Sequence, residues 1–245
     1  MRSGRPAIDL TSPRSAWDVL ATALALYARY PGTFLLLALV VVAPYELIVL
    51  AATGAAPFDQ QYTSASTSLI LTLIGYAVLG PLVSALHVHA AGAVAEGRRP
   101  ELGSVLWTGV RVLPVVTAAE IVAGIGVFAG LLLFVLPGLV LAARWGVVAQ
   151  AAAFERTDWL GALRRSAELT RTHYLHVLAI LVLTTAVEYG VLRAGELAAG
   201  RHSGAGPVAL GIAAVTISRS ITALTTAVLY FELRGRATRE DQSGV

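Results

Sequence analysis

The stretch Thr33–Ala52, TFLLLALVVVAPYELIVLAA, carries a single charged residue, Glu46, among its twenty. Wound as a helix at about 1.5 Å per residue it reaches about 30 Å, the thickness of a bilayer's hydrocarbon core. A helix apolar all round has no wet face, so this run asks for lipid rather than water as its solvent. The rest of the chain agrees. Of 245 residues 56% are hydrophobic and 13% charged, with a mean hydropathy of +0.72, whereas an average globular protein is about 25% charged.

Outward from that first run, further apolar segments recur at 68–95, 112–134, 138–154, 174–198 and 208–233. The pattern predicts an all-α integral membrane protein of six spans, forming one membrane domain over residues 12–236. A disordered N-terminus at 1–11 and a disordered tail at 237–245 flank it. The fourth segment follows the breaker pair Pro137-Gly138 and is short for a crossing, so it must run steeply or traverse thinned lipid; a re-entrant segment is the alternative. With no cysteine in the chain, disulfides, thiolate metal sites and cysteine nucleophiles are excluded.

All eighteen basic residues are arginine, and their positions are sorted. Arg2, Arg5, Arg14 and Arg29 precede the first span. Arg98, Arg99 and Arg111 lie between the second and third, Arg156, Arg164, Arg165 and Arg171 between the fourth and fifth, and Arg234, Arg236 and Arg239 follow the sixth. Fourteen arginines therefore fall on one membrane face, against Arg201 alone on the other. Basic charge retained in short loops marks the cytoplasm, so both termini are expected to be cytoplasmic in the inner membrane, with the fourth segment crossing fully. An Arg29 interrupting the stretch before the first span argues against a cleavable signal peptide.

Three stretches on that face read as two-sided helices suited to the membrane interface. At 12–30, Ser12-Pro13 has the N-cap and N1 signature of a helix start, Trp17, Leu20, Ala21, Leu24 and Ala28 share one side, and Pro31-Gly32 ends the helix. A second, at 101–113, contains Trp107 and Arg111 and precedes Pro114. The third, at 157–171, sets Trp159, Leu160, Leu163 and Ala167 against Arg164, Arg165 and Glu168. Three units of interfacial helix plus transmembrane hairpin account for the order, although the spacing between units is irregular.

Charged side chains within spans are the candidate site, because leaving one unpaired in hydrocarbon costs about 3 kcal/mol or more. They are Glu46, Glu120, Arg144, Glu188 and Arg219. Pairing of Glu120 with Arg219 or Arg144 is the first expectation, and the stripe Thr216, Arg219, Thr222, Thr226 should turn this face of the last span into the bundle. Two readings follow. Paired in a dry bundle, these charges are structural and the protein is a non-enzymatic module that organises lipid or a partner protein. Lining a continuous polar cavity that reaches Glu120 or Arg219, they suit a transporter or permease subunit for a small polar or lipid-like solute.

The surface formed by Arg14, Arg98, Arg99, Arg164, Arg165 and Arg171 is expected to meet anionic lipid headgroups or a membrane or cytoplasmic protein partner. Nucleic acid is not expected, since no exposed aromatics interleave with the basic residues. The histidines lack zinc-site spacing and read as interfacial; no metal or cofactor is expected. Gly126-x-x-x-Gly130 and the Ala186, Gly190, Ala194 series offer faces for close helix approach, within the chain or in an oligomer.

One region matches a known pattern: Leu136-Pro137-Gly138-Leu139, Ala143-Arg144-Trp145, Phe154-Glu155, and then Ala162-Leu163-Arg164-Arg165-Ser166-Ala167-Glu168-Leu169-Thr170-Arg171. It resembles the membrane domain of the glycerophosphoryl diester phosphodiesterase family and related stand-alone multipass proteins of bacteria. The closing Leu229-Tyr230-Phe231-Glu232-Leu233-Arg234-Gly235-Arg236 and the opening Trp17 to Pro44 are similar to that family's ends. Pro137, Gly138, Arg144, Glu155, Arg164 and Arg165 are the positions matching its motif. The resemblance implies no hydrolase, because that activity belongs to a separate barrel domain. The barrel's His-Arg-Gly has no counterpart: the five histidines are followed by Val88, Ala90, Tyr174, Val177 and Ser203.

Overall fold

The computed structural model describes residues 8–54, 64–155, 157–200 and 204–243. Among these the chain is helical, with no strand. Six helical stretches are long and apolar enough to cross a membrane: Pro31–Thr53, Ala65–Ala95, Leu102–Leu133, Val135–Phe154, Tyr174–Ala199 and Ala205–Gln242. Large apolar side chains face outward along them, among them Val40 and Ile48, Ile125 and Leu132, and Val182, each more than half exposed. An apolar surface of that extent is a lipid-facing one. These features fit a multi-pass membrane protein.

Helix α1 (Ala16–Arg29) starts at Ser15, not at Ser12. Ser15 accepts from the backbone of Asp18 while Asp18 accepts from that of Ser15, a capping box that satisfies two donors at once. Its buried face is Val19, Leu20, Ala23 and Leu26, whereas Trp17 and Leu24 of the expected apolar side point outward. Tyr30 joins α1 to α2 (Pro31–Thr53), where Pro31 occupies the first helical position and needs no amide donor.

The second span is α3 (Ala65–Ile74), a π turn at Gly75–Leu79, and α4 (Gly80–Ala95). Pro81 cannot donate to the carbonyl four residues back, that of Ala77, and the Thr117 hydroxyl donates to it instead at 2.6 Å. Tyr45 likewise donates to the Leu71 carbonyl at 2.7 Å. Helix α4 is buried along most of its length, and its small residues Ala90, Ala91, Gly92 and Ala93 let neighbours approach. A Cβ at Gly92 would stand 2.8 Å from the Phe154 ring.

Helix α5 (Leu102–Leu133) runs unbroken through Pro114, so the stretch 101–113 is not a separate helix. Proline inside a helix costs about 3 kcal/mol, and packing of α5 on α4, α6 and α7 outweighs it. The chain breaks at Phe134 instead, and Pro137 sits in the first turn of α6 (Val135–Arg144), where proline is tolerated. Gly130 and Gly138 face each other there: a Cβ on Gly130 would lie 2.9 Å from the Gly138 Cα. The Gly126, Gly130 face therefore packs within the chain. The Ala186, Gly190, Ala194 series is exposed.

The fourth segment is not one helix. After α6 the chain turns through Trp145, Gly146 and Val147 into α7 (Val148–Phe154). The carbonyl of Arg144, left free by the break, accepts from Ser166 at 3.0 Å and Thr170 at 3.1 Å, both on α8 (Trp159–Thr170). Arg144 thus ends a helix with its side chain exposed, rather than sitting inside a continuous span.

Helices α9 (Tyr174–Ala199) and α10 (Ala205–Ser243) complete the bundle. α10 is the central pillar, packing against α1, α2, α4 and α9. It continues as helix to Ser243, into the residues expected to be a disordered tail, with Ala237 against the core. Leu10, in the N-terminal stretch also expected to be disordered, is buried. Gly235 makes this possible, since a Cβ there would stand 2.3 Å from the Thr11 carbonyl oxygen. The reading of residues 1–7 and 244–245, the loop around Asp59, Arg156 and Arg201 lies outside the described residues.

Candidate functional site

Helices α2, α4, α5, α7, α9 and α10, with the π turn and the turn at Trp145–Gly146, line a partly open cavity of about 830 Å³. Glu46, Glu120, Glu188 and Arg219 all line it; Arg144 does not. The pairing differs from that expected. Arg219 stands 3.5 Å from Glu188, and Thr222 donates to the same carboxylate at 3.4 Å. Among the described residues Glu120 makes no ion pair with Arg219 or Arg144. Its carboxylate lies against Gly80, where a Cβ would be 3.7 Å from Oε2. Arg144 is withdrawn by the break at Trp145, and Glu188 of the neighbouring α9 takes Arg219.

The stripe on α10 faces inward: Thr216 is buried, and Arg219, Thr222 and Thr226 line the cavity. Between them Ser218, 1% exposed, also lines it, and its hydroxyl has no hydrogen-bond partner among the described residues. Tyr45, Tyr76, Phe128 and Trp145 supply aromatic wall. The Trp145 ring is seated by Gly126, whose Cβ would be 2.4 Å from Cζ3. Sequence reasoning missed Ser218, Trp145 and Gln150. Gln150 had a signal, as the one amide in the otherwise apolar run Val147–Phe154.

One end of the cavity is closed. Gln150 donates to Thr226 at 2.8 Å, and Val148, Ala149 and Gln150 are buried. Beyond them Phe154 meets Phe231 edge-on at 5.1 Å and Tyr230 at 5.9 Å between ring centroids. Wall residues Tyr76, Phe128 and Leu131 are exposed, so the cavity is open on the side of the bundle where they lie.

The closed end is also where the arginines gather. Glu155 accepts from Arg165 Nε through both oxygens, at 2.9 and 3.0 Å, and from the Tyr230 hydroxyl at 2.7 Å. Arg165 lies 3.5 Å from Glu168 as well. Burial opposes the Arg165 charge, but the hydrogen bonds it donates to Glu155 and Glu168 outweigh it and hold the guanidinium above its usual pKa. Glu232, fully buried on α10, accepts from Arg236, from His176 at 3.3 Å and from the Arg14 backbone at 3.1 Å. Arg236 in turn donates to the Arg14 carbonyl at 3.0 Å.

These contacts sort the expected basic surface. The Arg14 guanidinium is spent on the carbonyls of Ser12 and Asp9, Arg165 on Glu155, and Arg98 on Glu96. Arg99, Arg164 and Arg171 remain exposed. His87 is buried rather than interfacial, stacked on Phe34 at 5.6 Å with Nε2 2.9 Å from Ser220. Among the described residues no three His, Asp or Glu side chains come together as a metal site. Comparison with family models, curated proteins and solved structures finds no match to this chain.

Proposed function

We propose that this protein is a solute-binding membrane unit, a transporter or permease subunit, whose site is the cavity around Glu120 and Arg219. The observation that carries this reading is the cavity itself: four of five intramembrane charges line one space, and among the described residues its wall holds two carboxylates, Glu46 and Glu120, in no ion pair and one hydroxyl, that of Ser218, with no hydrogen-bond partner. A structural ion-pair set in a dry bundle would leave neither. Its volume falls in the usual range for small-molecule sites, about 300–1,000 Å³.

The arginine-rich end is cytoplasmic by the positive-inside rule, so the cavity opens outward and the Gln150–Thr226 bond, the Phe154 cluster and the Glu155–Arg165–Tyr230 group form its inner gate. α1 and α8 lie in the cytoplasmic interface, with the exposed Trp17 and Trp159 at headgroup depth. Of the residues resembling the phosphodiesterase membrane domain, Glu155 and Arg165 belong to this gate, whereas Pro137 and Gly138 open α6 at the opposite end, beside Gly130. We read the Glu155–Arg165 part of the motif as a structural device of the inner face and not as a hydrolytic centre. The second reading, a lipid- or partner-organising module, rests on the exposed Arg99, Arg164 and Arg171.

Flux through proteoliposomes tests the proposal, with radiolabelled choline, glycine betaine and acetate as cationic, zwitterionic and anionic probes. Accumulation of any one above protein-free vesicles, lost in Glu120→Gln, is the expected result. No movement of all three overturns it.

A further inference from the structure

The charge of the cavity is not balanced. Glu46, Glu120 and Glu188 face it against Arg219 alone, and that arginine already stands 3.5 Å from Glu188. With its carboxylates ionised the wall carries two negative charges in excess, and Glu46 and Glu120 make no ion pair among the described residues. Uncompensated charge at membrane depth is costly; protonation removes that cost while the cavity is empty, and a bound cation removes it when the cavity is filled. A bare metal ion is a poor fit. It needs about six oxygens converging at about 2.0–2.6 Å, whereas these carboxylates project from three helices into a space of about 830 Å³.

The remaining wall narrows the class. Tyr45, Tyr76, Phe128 and Trp145 are aromatic, and aromatic faces attract ammonium groups within about 6 Å. Ser218, buried with its hydroxyl unpartnered, offers a hydrogen bond to a ligand that reaches α10. Exposed Tyr76 and Phe128 carry apolar surface to the mouth. From these features, and resting on the solute-binding reading above, we infer that the ligand is a small organic cation, an ammonium or pyridinium head on an apolar body.

The test is equilibrium binding to the full chain in phosphatidylcholine nanodiscs, whose neutral headgroups add no charge. The probe is the fluorescent cation 4-(4-dimethylaminostyryl)-N-methylpyridinium, with dansylglycine as an anionic counterpart. The cation should bind above empty nanodiscs, be displaced by tetraethylammonium, and lose at least about tenfold in affinity in Glu120→Gln, the weight of one charge-assisted contact. Glu46→Gln carries the same expectation should the first variant fail to fold, and Arg164→Gln, outside the cavity, should bind as the wild type does. Preferential binding of dansylglycine, or cation binding indifferent to both carboxylates, overturns the cationic class while leaving a solute cavity in place. Binding of neither dye, together with no flux of choline, glycine betaine or acetate, overturns both.

Discussion

The Glu155–Arg165–Tyr230 group yields the most quantitative prediction. Tyr230→Phe removes one hydroxyl from a carboxylate and leaves the ring against Phe154 and Phe231. A hydrogen bond to a charged group contributes about 1.5–3 kcal/mol, and Arg165 remains on Glu155, so a loss near the lower end, about 1.5 kcal/mol, is expected. Arg165→Met strands a carboxylate whose side chain is 22% exposed. Stranding a fully buried charge costs about 3–5 kcal/mol and an exposed pair contributes about 0–1, which places this variant at about 2 kcal/mol. Once Glu155 is replaced by Gln, both partners lose their charged acceptor, and the second substitution should cost much less than it does alone. A double-mutant cycle on reversible unfolding in bicelles should return a coupling of about 1–2 kcal/mol for Glu155 with Arg165. Additivity within about 0.3–0.5 kcal/mol would show that the contact does not hold the inner end together.

Other outcomes follow from the same packing. Gly126→Val drives a side chain into the Trp145 ring and should cost about 1–3 kcal/mol, while Gly190→Ala, with open space around it, should be neutral or stabilising by up to about 1 kcal/mol; thermal unfolding in detergent separates them. Gly235→Val should displace the Thr11 crossing and make residues 8–15 sensitive to protease, with the bundle intact. The Ser15 hydroxyl and amide hold the Asp18 carboxyl below its ordinary 3.8. The capping contribution is therefore fully present above that value and lost as pH falls through the lower folded one. In Ser15→Ala the Asp18 titration, followed by NMR, should move back up toward the ordinary value. Reporter fusions at either terminus should be active only in the cytoplasm; activity outside at either end contradicts the orientation.

The six apolar runs were legible because a span must be apolar on every face for about twenty residues, a signal that survives without partners. Breaks were less so. Pro114 and Pro137 look alike as breakers in sequence, yet one lies inside α5 and the other in the first turn of α6, a difference set by what packs around them. Glu46, Glu120, Glu188 and Arg219 stood out by charge alone, but their pairing depends on which helices are neighbours. Arg144 stands apart from the cavity because of the turn at Trp145–Val147, which nothing local in the sequence announces and which hydroxyls on α8 stabilise. Contacts such as Tyr230 with Glu155 link residues 75 positions apart, a distance no periodicity spans.

The absence of cysteine from the chain makes one measurement especially direct. Ser84→Cys, at a half-buried serine of α4 in the cavity wall, places a single thiol there, to be labelled in oriented vesicles with the impermeant cationic reagent methanethiosulfonate ethyltrimethylammonium, added to one side at a time. A cavity open to the outside predicts rapid modification from the face opposite the arginines, and none from the arginine-rich face while the gate is closed. A thiol unreactive from both faces, or reactive only from the arginine-rich one, would contradict the cavity as described.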